Sequence, residues 1–490
     1  MQIQSVATYL GPNQGFTFIS DGLAVVEEGG YLRLLYAQRV DNRLGAITLE
    51  TGVTPSTPVP GAPEIGTAPG QDMVVQETSA QPRIFVFSAY DGLLRHTTIG
   101  TTGLPGTTNG TNTDQGYLSG VIAMEIFERG ATDIAIIASR LTPGLRLFSL
   151  ADSGVFTLLS TVLDGPKSYL GDVSDMAALE IDGRSFLLAA SALENGLSLF
   201  ELLADNTLSF VDAMGVAEWI PFAGPAALQS VEVGGVHYVV VASTLSSSLS
   251  VLRVNEMGVM FLEDHLIDDR NTRFDGVAAL DMFTASGRVF VVAAGTDSGI
   301  SVLEMLPDGT LSHITSLALE SGAGIANVTG IETAVHAGVA MIFLTDARGD
   351  RIHHFEVDLA GIGGLITTGA GGGAGTAMDD RIIGSAWADT LNGGAGDDFL
   401  HDGGGVDVLI GGAGADVFVF DRDGRADSVS DFQAGVDRLD VSAWGRIYSA
   451  DALRITATAT GATVVYGNET LIITRSGGGS LLLTDADFIF

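Results

Sequence analysis

Five consecutive nine-residue units between Gly375 and Val419 each carry Asp at the sixth position and a large apolar residue at the eighth. They read GTAMDDRII, GSAWADTLN, GGAGDDFLH, DGGGVDVLI and GGAGADVFV. The aspartates are Asp380, Asp389, Asp398, Asp407 and Asp416. A carboxylate is a hard oxygen donor, the ligand type Ca²⁺ prefers. Gly394, Gly396, Gly403, Gly405, Gly412 and Gly414 allow tight turns that aim backbone carbonyls inward. The triplet after each Asp is then a short strand. Its middle residue (Ile382, Leu391, Leu400, Leu409 or Phe418) points into a core. A flexible Gly/Asp linker has no reason to hold apolar residues in that register.

The last three units nearly match G-G-x-G-x-D-x-U-x, and the segment resembles the calcium-binding β-roll repeats of RTX proteins. That resemblance implies two units per coil, so that aspartates eighteen residues apart stack. It implies three Ca²⁺ sites, between Asp380 and Asp398, Asp398 and Asp416, and Asp389 and Asp407. The first two units lack most of the glycines. The resemblance also implies export from a Gram-negative cell by type I secretion machinery, guided by an uncleaved C-terminal signal.

The rest of the composition agrees with a protein that meets calcium. Among 490 residues, 59 are acidic and 23 basic, a net charge of −36. Such a balance excludes nucleic acid and anionic membrane surfaces as partners. Without cysteine there is no disulfide, thiolate-bound zinc or thiol nucleophile. The start, MQIQSVATYLGPNQG, has no basic and apolar leader, so no Sec signal is expected. No run of about 18 apolar residues predicts a transmembrane helix.

A second, longer period precedes the roll. Apolar segments begin at Tyr31, Arg83, Asp133, Arg184, Val236, Arg288 and Val339, spaced by 52, 50, 51, 52, 52 and 51 residues. Around each lie four short strand patterns with turn residues between them, the layout of a propeller blade. The expected fold class is therefore all-β: a seven-bladed β-propeller (1–365), a Gly-rich linker (366–374), the roll (375–419) and a β-rich cap with the secretion signal (420–490). Blade seven lacks a fourth strand after RIHHFEVD (351–358), and IQSVATYL (3–10) is predicted to supply it.

The phrase GTDSGISVLEMLPDGTLSHITSL (295–317) resembles the lactonase-like, YVTN-type propellers. Aligned by sequence, the first positions of the inner strands are Asp21, Asp72, Ser119, Asp175, Ala227, Asp275 and Thr329. The four aspartates could hold a divalent cation in the channel, or each could fix its own turn by accepting backbone N–H groups. No G-x-S-x-G, H-E-x-x-H or phosphate-loop motif occurs, so no catalytic residue is assigned. The expected function is a secreted calcium-binding protein whose propeller is a platform for a glycan, a cell surface or copies of itself. The alternatives are a metal-dependent lactonase or esterase, and a surface-layer or matrix component. DSVSDFQAGVDRLDVS (427–442) resembles the segment that follows the roll in serralysin-type proteins and is expected to cap it.

Overall fold

The apolar runs are the second strands of seven antiparallel sheets, and their burial explains their composition. In blade four, Phe186, Leu187, Leu188, Ala189 and Ala190 are all inaccessible to solvent. Side chains alternate across a strand. Accordingly Phe186, Leu188 and Ala190 pack with Val239 and Val241 of blade five. Leu187 and Ala189 pack instead with Ile134 and Ile136 of blade three. A strand buried on both faces has no polar side to show, so it reads as a continuous apolar run. The fourth strand of that blade, Leu208–Met214, is more open, with Ser209 and Phe210 exposed.

The computed structural model describes all residues except 11–17, 29, 39–42, 50–70, 77–80, 89–93, 107–108, 112–117, 130–131, 216–217, 219, 320–324, 326 and 348–350. Among the described residues the structure is all-β, with helix limited to short 3₁₀ turns. The chain divides into two compact units. One comprises Met1–Phe283 and Val289–Asp358, the other Thr284–Arg288 and Leu359–Phe490.

The first unit is the propeller. Five consecutive four-stranded sheets start at Gln71, Val121, Val173, Pro225 and Ala279. Phe18–Glu28, Tyr31–Gln38 and Arg43–Thr48 form blade one. Blade seven takes Val328–His336, Val339–Asp346 and Arg351–Asp358 from its own stretch, and Ile3–Leu10 is its outer strand. That strand runs antiparallel from Ile3↔Val357 to Leu10↔Arg351, with one bulge between Ser5 and Ala7.

The second unit is a parallel roll. One sheet stacks Ile362–Thr367, Asp379–Ile383, Phe399–His401, Val417–Val419, Arg438–Asp440 and Phe488–Ile489. The other begins with Gly373–Ala374, Thr390–Ala395, Val408–Ala413, Ala426–Phe432 and Glu469–Arg475. Two antiparallel strands, Gly461–Tyr466 and Arg454–Ala457, complete it. Registers of Ile382↔Leu400↔Phe418 and Leu391↔Leu409 set the coil at eighteen residues. Those five side chains are fully buried in one core with Trp444, Leu471 and Phe488.

The expected linker at 366–374 is instead the first coil of this roll. Ile366 pairs with Ile382 and packs on the core. Gly371 and Gly372 turn at φ 110° and 104°. A Cβ on Gly372 would lie 2.0 Å from the Thr390 carbonyl, so the glycines serve close coil stacking rather than flexibility. This coil has turn glycines and an apolar knob but no aspartate, which hides it from the nonapeptide pattern.

Candidate metal centre

Each of the five nonapeptides turns at an Asp whose backbone N–H donates to the Asp one coil further on. Asp380, Asp398 and Asp416 donate to Oδ1 of Asp398, Asp416 and Asp437 at 2.8, 3.0 and 3.2 Å. On the other side, Asp389 and Asp407 donate to Oδ1 of Asp407 and Asp427 at 2.7 and 3.0 Å. Asp427 and Asp437 thus extend both ladders beyond the nonapeptides. Their spacings of 20 and 21 residues break the period, which concealed them.

The second carboxylate oxygens divide the ladder into two classes. In the first two units a hydroxyl occupies them. Asp380 Oδ2 accepts the Thr376 N–H at 2.5 Å and its Oγ1–H at 2.9 Å. Asp389 Oδ2 accepts the Ser385 N–H and Oγ–H, both at 2.7 Å. Their Oδ1 atoms take N–H groups from Gly364 and Gly371. In the next three units glycine replaces the hydroxyl residue. There Asp398, Asp407 and Asp416 each leave a buried Oδ2 with no partner. An orphaned buried carboxylate oxygen is costly unless a cation meets it.

Electrostatics follow the same division. Burial, then neighbouring carboxylates, push Asp398 and Asp407 up to about 6 and Asp416 up to about 7. Burial also raises Asp389, but the Ser385, Gly371 and Gly372 donors outweigh it and hold that carboxyl below its usual range. The glycines at the second and fourth positions of the last three units all have positive φ. A Cβ on Gly412 would lie 2.1 Å from the Gly394 carbonyl, and one on Gly414 1.9 Å from that of Gly396. Only glycine lets these coils approach so closely. Buried, hard, partnerless oxygens beside glycine turns fit Ca²⁺. Among the described residues, groups of three metal-capable side chains with ligand atoms within 4.8 Å are His401–Asp402–Asp421 and Asp402–Asp407–Asp427.

The propeller brings together a different set of acids from the aligned one. Asp72, Glu125, Asp175 and Glu332 line a cavity of about 770 Å³. Asp275 is not among them. It is exposed on a turn and accepts Ser247 Oγ at 2.6 Å, because blade six starts its inner strand later, at Ala279. The side chain of Asp21 lies outside the described residues. Asp72, Glu125 and Glu332 stand opposite Phe87, Ile136 and Phe343 of their second strands, a register that sequence alignment of strand starts does not reveal.

Two of these carboxylates, Asp175 and Glu332, bind neighbouring blades to one another, as does Asp281 of blade six. Asp175 accepts N–H groups from Met176 and, in blade five, Leu228, both at 2.8 Å. Asp281 accepts the Thr333 N–H of blade seven at 2.7 Å, and Glu332 accepts the Val25 N–H of blade one at 2.7 Å. Asp72 takes its own neighbour, Met73, at 2.8 Å. Burial raises Asp72 to about 6 and Asp175 to about 7. Burial, then Asp175 and Asp72, raises Glu125 to about 8.

No curated protein sequence matches this chain. Among solved structures, a crystal structure of a protein from Lactobacillus plantarum is similar, with a TM-score of 0.43 and 14% identity. The match covers 69% of this chain and 94% of that one. The family model of the RTX calcium-binding nonapeptide repeat matches residues 374–401 and 383–418, in four copies. The coiled units around Asp380 to Asp416 are therefore RTX calcium-binding repeats, carried by a chain whose larger unit is a seven-bladed propeller.

Proposed function

We propose that the roll is a calcium-triggered folding device of a secreted protein and that the propeller is its binding platform. The observation that carries the first part is the set of three buried, partnerless oxygens on Asp398, Asp407 and Asp416. These three, with Asp427 and Asp437 beside them, are the calcium-holding residues, about three sites in all. Asp380 and Asp389 are satisfied by Thr376 and Ser385, which makes their turns the metal-independent start of the ladder. Extracellular calcium modules have Kd values of about 10⁻⁴–10⁻³ M. Inside a cell such a roll stays open, its aspartates repelling one another. Outside, bound Ca²⁺ neutralises them and its binding free energy becomes folding free energy. That sequence suits export through type I machinery of a Gram-negative cell, with the roll folding as it emerges. Circular dichroism and tryptophan emission of the full chain, with and without millimolar Ca²⁺, test it. Identical spectra refute it.

The platform reading rests on three exposed leucines. Leu141, Leu193 and Leu245, 52 residues apart, are 66%, 73% and 75% exposed. They sit on the equivalent turn, between second and third strands, of blades three, four and five. Equivalent turns of adjacent blades open on one face, so the three make an apolar edge there. Exposed apolar clusters mark interaction surfaces. The partner is a glycan, a cell surface or another copy of the chain. Glycan arrays, cell binding and sedimentation in Ca²⁺, comparing wild type with a Leu141→Ser/Leu193→Ser/Leu245→Ser variant, separate these. Equal binding and equal sedimentation by both proteins count against the platform. Lactone hydrolysis that EDTA abolishes and Glu125→Gln weakens establishes the hydrolase alternative instead.

A further inference from the structure

The fourth nonapeptide departs from the others at its first position. The other four have Gly375, Gly384, Gly393 and Gly411 there, and the fourth has Asp402. The position faces the metal-side oxygen of its own unit. A Cβ placed on Gly393 would lie 2.2 Å from Asp398 Oδ2, and one on Gly411 2.2 Å from Asp416 Oδ2. At residue 402 a side chain stands in that place, and it is itself a carboxylate.

Asp402 is 2% exposed, Asp407 1% and Asp427 4%. One oxygen of each lies within 4.8 Å of the others. Asp407 Oδ2 is buried and accepts no hydrogen bond. Asp402 is held in place from below, its Oδ1 accepting the Asp421 N–H at 2.9 Å. The charges acting on Asp402 are those of Asp427, Asp421 and Asp407, all carboxylates. Three acids converge here, and among the described residues no arginine or lysine is paired with them.

We propose that Asp402, Asp407 and Asp427 form a three-carboxylate cation site, the tightest calcium site of the roll. Paired-aspartate turns offer two carboxylates per ion; this one offers three, already fixed by the ladder. Ligand charge and rigidity are what tune Ca²⁺ affinity in protein sites. This turn therefore fills first as Ca²⁺ rises and favours trivalent ions over divalent ones. The assignment rests on the calcium reading of the roll.

Calorimetric titration of the full chain with CaCl₂ tests it, comparing wild type, Asp402→Gly and Asp402→Asn. Glycine restores the residue that the other units carry. Asparagine keeps the acceptor for Asp421 N–H and removes only the charge. Circular dichroism in excess Ca²⁺ identifies folded variants, and the asparagine variant decides if the glycine variant does not fold. The expected result is loss of the tightest binding class in both variants, its Kd weakened about tenfold, with the weaker class unchanged. Terbium, added as the chloride, loses its preference over Ca²⁺ in the same variants. Isotherms superimposable on wild type overturn the three-carboxylate site while leaving the calcium roll standing. A wild type that binds no Ca²⁺ overturns both.

Discussion

Each ladder aspartate has two oxygens with separate duties, and substitutions can address them one at a time. Asp416 Oδ1 accepts the Asp398 N–H, while Oδ2 has no partner. Asp416→Asn keeps the acceptor and removes the charge. In chelator at pH 8 it is expected to stabilise the roll, because it relieves a buried charge among carboxylates. In millimolar Ca²⁺ it is expected to destabilise it. Trp444 emission through urea unfolding, in a Trp219→Phe/Trp387→Phe background, measures both, and an effect of one sign under both conditions contradicts the assignment. Glu125 offers a pH test in the propeller. Its folded pKa of about 8 exceeds the usual glutamate value, so the folded state holds a proton the unfolded state has released. That stability is complete below about pH 4.5 and is lost as pH rises to about 8. Glu125→Gln stays neutral throughout. Its melting temperature should exceed that of wild type at pH 8 and match it at pH 5. A gain independent of pH rules out titration as the cause.

At the level of single strands and turns, legibility followed burial. The second strands of the blades were readable because both faces are buried, which left the long run at Val239–Ala242 no room for polar residues. The coil at 362–374 was not, because without an aspartate its glycines looked like a linker. The cavity acids were hidden for another reason: Asp72, Glu125 and Glu332 share a register but not a residue type or a strand-start position. The two hydroxyl-closed turns yield their own prediction. Thr376→Ala and Ser385→Ala each remove a hydrogen bond to a buried carboxylate, which costs about 1.5–3 kcal/mol. If these turns hold no metal, as proposed, the loss appears equally in chelator and in Ca²⁺. A loss confined to one condition shows that calcium does act there.

For the whole molecule, two cores of different character share one chain. The propeller core is built of strand pairs packed blade against blade, and the roll core is two columns of stacked side chains, one from each sheet, the first ending at Phe488. Removing residues 1–10 should leave Arg351–Asp358 as a bare edge strand. Lower thermal stability of the propeller and aggregation through that edge are expected, read by light scattering during a melt. An unchanged melt without scattering means the edge is not needed.

The pairing of residue 3 with residue 357 also sets a schedule. A ring latched in this way cannot be finished by any part of itself: six blades and most of a seventh remain an open arc until both ends of the stretch are in the same compartment. Neighbouring coils of the roll can zip one after another, but the propeller must wait. Under the export proposed above, that delay is an asset. Closure is the last step, taken only when nothing of the ring is left behind.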